Sequence, residues 1–315
     1  NDLPVFEEST TYPCILSVVK TPHESSFQAI HLDKLHIDNL KDHILENGFR
    51  LNQIDLNPEG WNLAKQDIST LLKKIKSTGN RLDDYLNGEV YRGILTGLNK
   101  AFVVDEATKD KITSKDSRSV EIIKPFLEGK DIKQYQKPLF KKYLIFTRRG
   151  IDISNYPAVK EYLGKFRKEL TPGVEGGRKD GKYEWYEIQD TIAYHSEFEK
   201  SKIIYPNICK QPEFTFDDEG IYSNQKCFII PRADKYLLGI LNSSLTFFLF
   251  KNILPKLRGD FYEPSYVYFK DFPIALANDS EKKEIASMVD KILAQKRKQP
   301  TADTRALEVE IDKAV

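Results

Sequence analysis

The residues best placed to do chemistry in this 315-residue chain are cations and amides standing at the ends of short apolar runs. Their chemistry would be hydrogen bonding to a polyanion whose edges can be read. A guanidinium that makes two parallel hydrogen bonds to guanine, or an amide that makes two to adenine, discriminates by about 1–3 kcal/mol, so a handful of such groups suffices. Arg148 and Arg149 follow the run Lys142 to Thr147, Asn207 and Lys210 follow Tyr205-Pro206, and Arg258 precedes Gly259. Each position is one where a rigid scaffold could aim a side chain from a loop, with Asn224 and Gln225 as a second tier. Asn99 and Lys100 belong to the stretch Tyr91 to Asp105, where Gly93 and Gly97 frame a tight turn. The plain structural reading of that stretch is a hairpin leading into a buried strand.

Charge is what separates these candidates from ordinary surface residues. The formal net charge is only +1, so any grip on a polyanion must come from a local surface and not from bulk charge. Between Lys141 and Lys182 there are eleven Lys and Arg against five Asp and Glu. That excess of six exceeds the surplus of the entire chain. Within this segment Thr171 to Lys182 is Gly-rich and mobile by composition, and Arg178, Lys179 and Lys182 lead into Tyr183, Trp185 and Tyr186. A flexible basic loop followed by aromatics suits a backbone that must follow phosphates. Neutralising about five phosphates would make affinity fall roughly 10²- to 10³-fold between low and physiological salt. The competing reading is a solvated basic loop.

Other chemistries find less support. Asp116 followed by Glu128-Gly129-Lys130 imitates the spacing of a PD-(D/E)xK nuclease, in which carboxylates hold Mg²⁺ and activate water, but Gly129 and Asp131 read as a turn. His23, His31, His36 and His43 fall early in the chain without zinc spacing or a cysteine pair. No nucleophile elbow and no phosphate-binding G-x-x-x-x-G-K-[ST] loop occurs. No metal site is expected. Cys14, Cys209 and Cys227 are widely spaced and odd in number, which fits a reducing cytoplasm, and no apolar run is long enough to span a bilayer.

The elements that must position these side chains follow from periodicity. Cys14 to Val19 and Phe27 to Leu32 read as strands separated by Thr21-Pro22-His23. Ile68, Leu71, Leu72 and Ile75 make the stripe of an amphipathic helix ending before Gly79, and Leu82, Tyr85 and Leu86 lead on to Gly93. From Val90 to Ile274 short β-rich runs alternate with turns: Lys142 to Thr147, Lys202 to Tyr205, Ile221 to Ser223 and Lys226 to Ile230. Tyr236 to Leu249 reads as one helix with Leu237, Leu238, Leu241 and Leu245 inward. Ser280 is positioned to cap a helix with the stripe Ile285, Met288, Val289 and Ile292, Pro300 ends it, and a second helix carries Leu307 and Ile311. Phe261, Tyr262, Tyr266 and Tyr268 are assigned to packing, with Glu263 paired to Arg258.

Three segments in fixed order add a resemblance: I-I-K-P-F-L-E-G-K-D-I-K-Q-Y at Ile122 to Tyr135, K-Y-L-L-G-I-L-N-S-S-L at Lys235 to Leu245, and L-R-G-D-F-Y-E-P-S-Y-V-Y-F-K-D-F-P-I at Leu257 to Ile274. With the Tyr91 to Asp105 stretch they resemble the TaqI-like C-terminal specificity domain of type IIG restriction-modification enzymes and related adenine-specific DNA methyltransferases, from about the opening residues to the C-terminus. The resemblance implies an α+β fold: a mixed β-sheet recognition domain with peripheral helices, then a C-terminal helical pair. It implies three parts, residues 1–85 as the end of a methyltransferase domain and a helical linker, 86–275 as the target-recognition domain, and 276–315 as a helical spacer.

Function follows from the same resemblance. The expected activity is sequence-specific recognition of double-stranded DNA, with Asn99, Lys100, Arg148, Arg149, Arg178, Lys179, Lys182, Asn207, Lys210 and Arg258 as DNA-binding residues. Neither a Gly-rich S-adenosylmethionine loop nor an Asn-Pro-Pro-aromatic stretch is present, and Asn57-Pro58-Glu59-Gly60 reads as a turn. The chain is therefore expected to be a non-catalytic piece of a larger adenine methyltransferase, with no cofactor of its own. Its expected partners are duplex DNA and the methyltransferase domain of the same polypeptide, where S-adenosylmethionine would bind. Two alternatives stay open: a protein-interaction module gripping an acidic partner, and a fragment with residual nuclease activity.

Overall fold

The computed structural model describes residues 3, 5–6, 13–20, 25–32, 34–56, 61, 63, 65–232 and 234–315. Residues 13–20 form no strand and are exposed, contrary to the expectation for Cys14 to Val19. The turns expected at Thr21-Pro22-His23 and Asn57 to Gly60 lie outside the described residues. β1 (Ser26–Ala29) is shorter than the expected strand and pairs antiparallel with β2 (Phe49–Asn52) across α1 (Leu40–Asn47), whose cap is Asn39. In α2 (Gln66–Ser77) the predicted stripe holds at Leu72, which is buried, with Ile68 and Ile75 packed beside it. Leu71 instead stays 43% exposed. β3 (Gly79–Arg81) and α3 (Leu82–Leu86) follow directly.

The Gly93 segment is not a hairpin. β4 (Tyr91–Arg92) joins one sheet, and after α4 (Asn99–Phe102) the strand β5 (Val103–Asp105) joins another. A Cβ at Gly93 would stand 2.0 Å from the carbonyl oxygen of Asn224, so only glycine lets the chain cross so close to a second backbone. The chain continues through α5 (Glu106–Lys115), β6 (Ile123–Leu127), β7 (Lys142–Ile145), α6 (Pro157–Gly164) and α7 (Arg167–Leu170). It returns in β8 (Lys202–Pro206), β9 (Thr215–Asp217), β10 (Tyr222–Ser223) and β11 (Cys227–Pro231).

These strands make two four-stranded sheets. One has the order β10-β6-β7-β5 and is mixed, β10 running parallel to β6; the other, β4-β11-β8-β9, is antiparallel throughout. β8 is buried at every position because the sheet has a core on each face. Ile203 and Tyr205 point into one hydrophobic cluster while Ile204 between them points into the other, as the two-residue period requires. That is why, after their leading lysines, Ile203 to Tyr205 and Cys227 to Ile230 are apolar at successive positions instead of alternating.

The helix expected from Tyr236 to Leu249 is two helices. α8 (Lys235–Leu241) is capped by Asp234, and α9 (Ser244–Ile253) by Ser243, whose Oγ accepts from the Thr246 amide at 3.2 Å. Asn242 interrupts them by hydrogen-bonding both the amide and the carbonyl of Phe214. Beyond the hairpin β12 (Lys256–Leu257) and β13 (Phe261–Tyr262), α10 (Tyr266–Phe269) leads to β14 (Pro273–Ala275), which pairs with β3. Tyr262 is buried, whereas Tyr268, expected to pack, is exposed. α11 (Asp279–Lys298) begins at Asn278, not at Ser280: the Asn278 side chain accepts from two first-turn amides and Glu281 closes a capping box. Its predicted stripe is buried in full and, with Ile311 of α12 (Arg305–Ala314), packs on α8, where Gly239 makes room for Ile285 and Val289. The architecture is α+β, with a C-terminal helical pair.

Candidate nucleic-acid interface

Arg178 organises the basic segment from the inside. Its five N–H groups go to five main-chain carbonyls: Nε to Leu170 at 2.8 Å, Nη1 to Thr96 at 3.0 Å and Glu187 at 2.8 Å, and Nη2 to Glu184 at 3.3 Å and Trp185 at 3.1 Å. The residue is 5% exposed, with the Tyr183 and Phe102 rings 4.6 and 5.4 Å from its guanidinium carbon. Burial pushes its pKa below the ordinary arginine value, with Glu187 among the charges pulling the other way. This corrects the expectation that Arg178 meets DNA, since no donor remains to offer. It also corrects the picture of a mobile Thr171 to Lys182 loop, which is closed by hydrogen bonds from Gly173 N to Arg178 O and from Arg178 N to Thr171 O.

Arg149, beside this buried cation, is half-buried. Arg149 lies 5.2 Å from the same Tyr183 ring and donates through Nη1 to Lys182 O at 3.2 Å and through Nη2 to Gln189 O at 2.6 Å. Its Nε is buried without a partner. Arg148, Lys179 and Lys182 are exposed. Asn99 is exposed at the start of α4, its Oδ1 accepting from Thr96 Oγ1, and the neighbouring Lys100 is ion-paired with Glu169. Glu187 ties the assembly together, its two oxygens accepting from the amides of Gly150 and Glu184 at 2.6 and 2.9 Å. Among the described residues, Lys142, paired with Glu128, is the one cation between Lys141 and Lys182 that has a carboxylate within ion-pair distance. The excess charge of this segment is thus left unneutralised by the protein itself.

A second group gathers where β8 ends. Asn207 is half-buried and its amide nitrogen reaches Glu263 Oε1 at 3.5 Å, while Lys210 is exposed over the Phe261 ring at 5.0 Å. Arg258 is exposed in the turn between β12 and β13. Asn224 is buried, its Oδ1 accepting from the Lys226 amide, and the Gln225 side-chain oxygen is buried without a partner. Main-chain hydrogen bonds joined by short stretches of chain lead from this group to the first: Tyr262 with Cys209, Asn207 with Lys226, Gln225 with Ile94, and Thr96 with Gln189, whose carbonyl holds Arg149. Between Ile94 and Thr96 lies only Leu95, so their carbonyls are two residue steps apart, at most about 7 Å of extended backbone.

Sequence reading missed Arg92 and Lys226, both exposed beside this run, and Arg167, whose guanidinium stacks 4.9 Å from the Trp185 ring. Arg92 was hidden because its neighbour is distant in sequence: its Nε donates to Gln225 O at 3.1 Å. The nuclease-like residues are occupied locally. Asp116 caps the following turn through Arg118 N and Ser119 Oγ, and Glu128 pairs with Lys142 and Lys130. Among the described residues no group of three His, Cys, Asp or Glu side chains could hold a metal ion, and no helix is long and apolar enough to cross a membrane.

An α+β unit carrying a basic segment with, among the described residues, a single ion-paired cation has the electrostatic footprint of the class that recognises DNA. Residues 124–274 match the family of TaqI-like C-terminal specificity domains. Over 171 residues the chain is 26% identical to the type II methyltransferase M.BanIII of Aneurinibacillus aneurinilyticus, covering 48% of this chain and 28% of that protein. The fold aligns with the type IIL restriction-modification enzyme MmeI, solved in complex with DNA, at a TM-score of 0.52 and 16% identity over 72% of this chain and 32% of that one. The type IIG restriction endonuclease BpuSI aligns at a TM-score of 0.47 and 12% identity over 85% of this chain and 35% of that one, a likeness too loose to argue from. The chain spans less than a third of the length of M.BanIII and MmeI.

Proposed function

We propose that this chain is the target-recognition region of a type IIG-like restriction-modification enzyme, selecting a duplex DNA sequence and carrying no catalytic centre of its own. The observation that carries this reading is the basic segment 141–182, whose cations stand almost entirely without carboxylate partners and whose last part, Thr171 to Lys182, is locked from within by Arg178. Phosphate contacts would come from Lys179, Lys182, Arg148 and Lys100, which fix register without reading sequence. Base contacts fall to side chains held at one end: Arg149, Asn207 and Asn99, with Lys210 and Arg258 flanking the second group.

In this proposal residues 86–275 form the recognition unit, 1–85 connect it to a methyltransferase domain of the same polypeptide, and 276–315 are the helical spacer. That methyltransferase domain would hold S-adenosylmethionine and receive the flipped adenine while this region grips the flanking duplex. A cytoplasmic setting is supported by three free cysteines, two of them buried thiols whose pKa burial raises. The test is selection from a pool of duplexes with a randomised core, followed by affinity measurement at several salt concentrations. Enrichment of one sequence with a steep loss of affinity at higher salt is expected. Binding without sequence preference, or no binding, would refute the reading.

A further inference from the structure

Every donor of Arg178 is spent on main chain, yet the carbonyls it holds belong to three separate pieces of the proposed DNA edge: the turn at Thr96 before α4, the end of α7 at Leu170, and the loop Glu184 to Glu187. Two of these pieces adjoin candidates: Asn99 beside the Thr96 turn, and Lys182 and Arg149 beside the Glu184 to Glu187 loop. Thr96 Oγ1 donates to Asn99, and the Thr96 carbonyl also accepts from Gln189 N at 3.2 Å, next to the Gln189 carbonyl that holds Arg149. The Glu184 to Glu187 loop follows Lys182, whose carbonyl takes the other arm of Arg149. The Tyr183 ring is close to both guanidiniums, 4.6 Å from that of Arg178 and 5.2 Å from that of Arg149. A lysine could keep the charge but has three donors on one atom, and no other side chain supplies five in a fixed plane.

Gly97 makes an independent case. Its φ is +82°, and a Cβ there would meet the Arg178 Cδ at 2.9 Å and the Gln189 Oε1 at 2.7 Å. The turn is therefore shaped around the arginine stem, with room for nothing larger than a hydrogen.

We infer that Arg178 is a positioning residue for DNA selectivity: it never touches DNA, and it sets the aim of Arg149, Lys182 and Asn99 by fixing the backbone that carries them. The inference rests on the proposed function. If the wild-type chain selects no sequence, that reading fails first; if the wild type selects and Arg178 variants select equally well, only this inference fails.

The decisive variant is Arg178→Lys in the full chain, assayed against the duplex enriched by the wild type and against random duplex, with hydrogen exchange followed by segment. The preference for the enriched duplex should shrink about tenfold or more, the scale of one lost bidentate base contact. Amide protection should fall at 96–99 and 171–190 while β8 and β11 keep theirs. A direct phosphate contact would tolerate lysine, leaving selectivity and exchange unchanged, and that outcome overturns the inference. A purely structural role would lower protection throughout and reduce specific and random binding in equal proportion, which also overturns it. Should Arg178→Lys not fold, Glu187→Gln decides: it weakens the link from Glu184 to Gly150 and removes a charge near the guanidinium while leaving all five Arg178 hydrogen bonds to main chain in place, and an undiminished preference for the enriched duplex would reject the idea.

Discussion

Lys202 and Asp217 face each other across β8 and β9 and form an ion pair in which neither side chain reaches solvent, at 0% and 1% exposure. The Lys202 ammonium also donates to the Phe198 carbonyl, and Asp217 accepts from the amides of Glu219 and Ile221 at 3.0 and 2.9 Å. Burial lowers the lysine pKa, and the aspartate opposes that shift.

Removing one member of this pair leaves the other as an uncompensated buried charge. Asp217→Asn should destabilise the fold by about 3–5 kcal/mol in urea denaturation, whereas the paired change Lys202→Met with Asp217→Leu should recover most of that loss. A loss for Asp217→Asn no larger than that of an exposed ion pair would contradict the burial of this site.

Lys182 has no carboxylate partner among the described residues and stands free at the end of the basic loop. Lys182→Ala should weaken binding to specific and random duplexes alike and reduce the salt dependence of log affinity by about one unit, because one counterion fewer is released. An unchanged slope would remove Lys182 from the phosphate contacts.

Asn207 should behave differently. Asn207→Ala is expected to relax preference at one base position by about 1–3 kcal/mol with little change in salt slope, read from the sequences selected by the variant. A uniform loss across all positions would assign Asn207 to the scaffold through its contact with Glu263.

Two glycines give opposite expectations. Gly93→Ala places a methyl 2.0 Å from the Asn224 carbonyl oxygen, backbone against backbone, and should cost about 3 kcal/mol or more. Gly164, the last residue of α6, has open space where its Cβ would stand, so Gly164→Ala should raise stability by about 0.5–1 kcal/mol. Thermal melts of both variants check the pair.

Acid sensitivity should show at Glu199. The Lys124 ammonium, 3.0 Å from Oε1, holds this carboxyl below the usual glutamate range, with Tyr222 hydroxyl as a further donor. A carboxyl whose folded pKa is depressed stabilises above its unfolded pKa and loses that contribution as pH falls through the folded value. Because Glu199 is half exposed, the contribution is no more than about 1 kcal/mol. Lys124→Met should therefore flatten the acid limb of the stability curve while leaving its neutral part lower by that small amount.

Local pattern carried much of this architecture. The strands β8 and β11 were legible as β-rich runs, and the structure adds that both faces are covered, which accounts for apolar residues at successive positions. The stripe Ile285, Met288, Val289 and Ile292 of α11 was equally legible from its helical spacing. The break between α8 and α9 was not, because Asn242 acts through Phe214, 28 residues away. Cys14 to Val19 carried a strand pattern with no partner among the described residues to pair it, and propensity alone does not make a sheet.

The chain by itself determined that positive charge would be concentrated between Lys141 and Lys182 and that the aromatics would follow it. Tertiary structure decided which of those charges face outward. Arg178 and Lys179 are adjacent and chemically alike in the sequence, yet one is caged by carbonyls and the other is exposed. The difference arises because one of the carbonyls that cage Arg178 belongs to Thr96, 82 residues away, and a contact that depends on folding together such distant segments leaves no trace in the residues beside it.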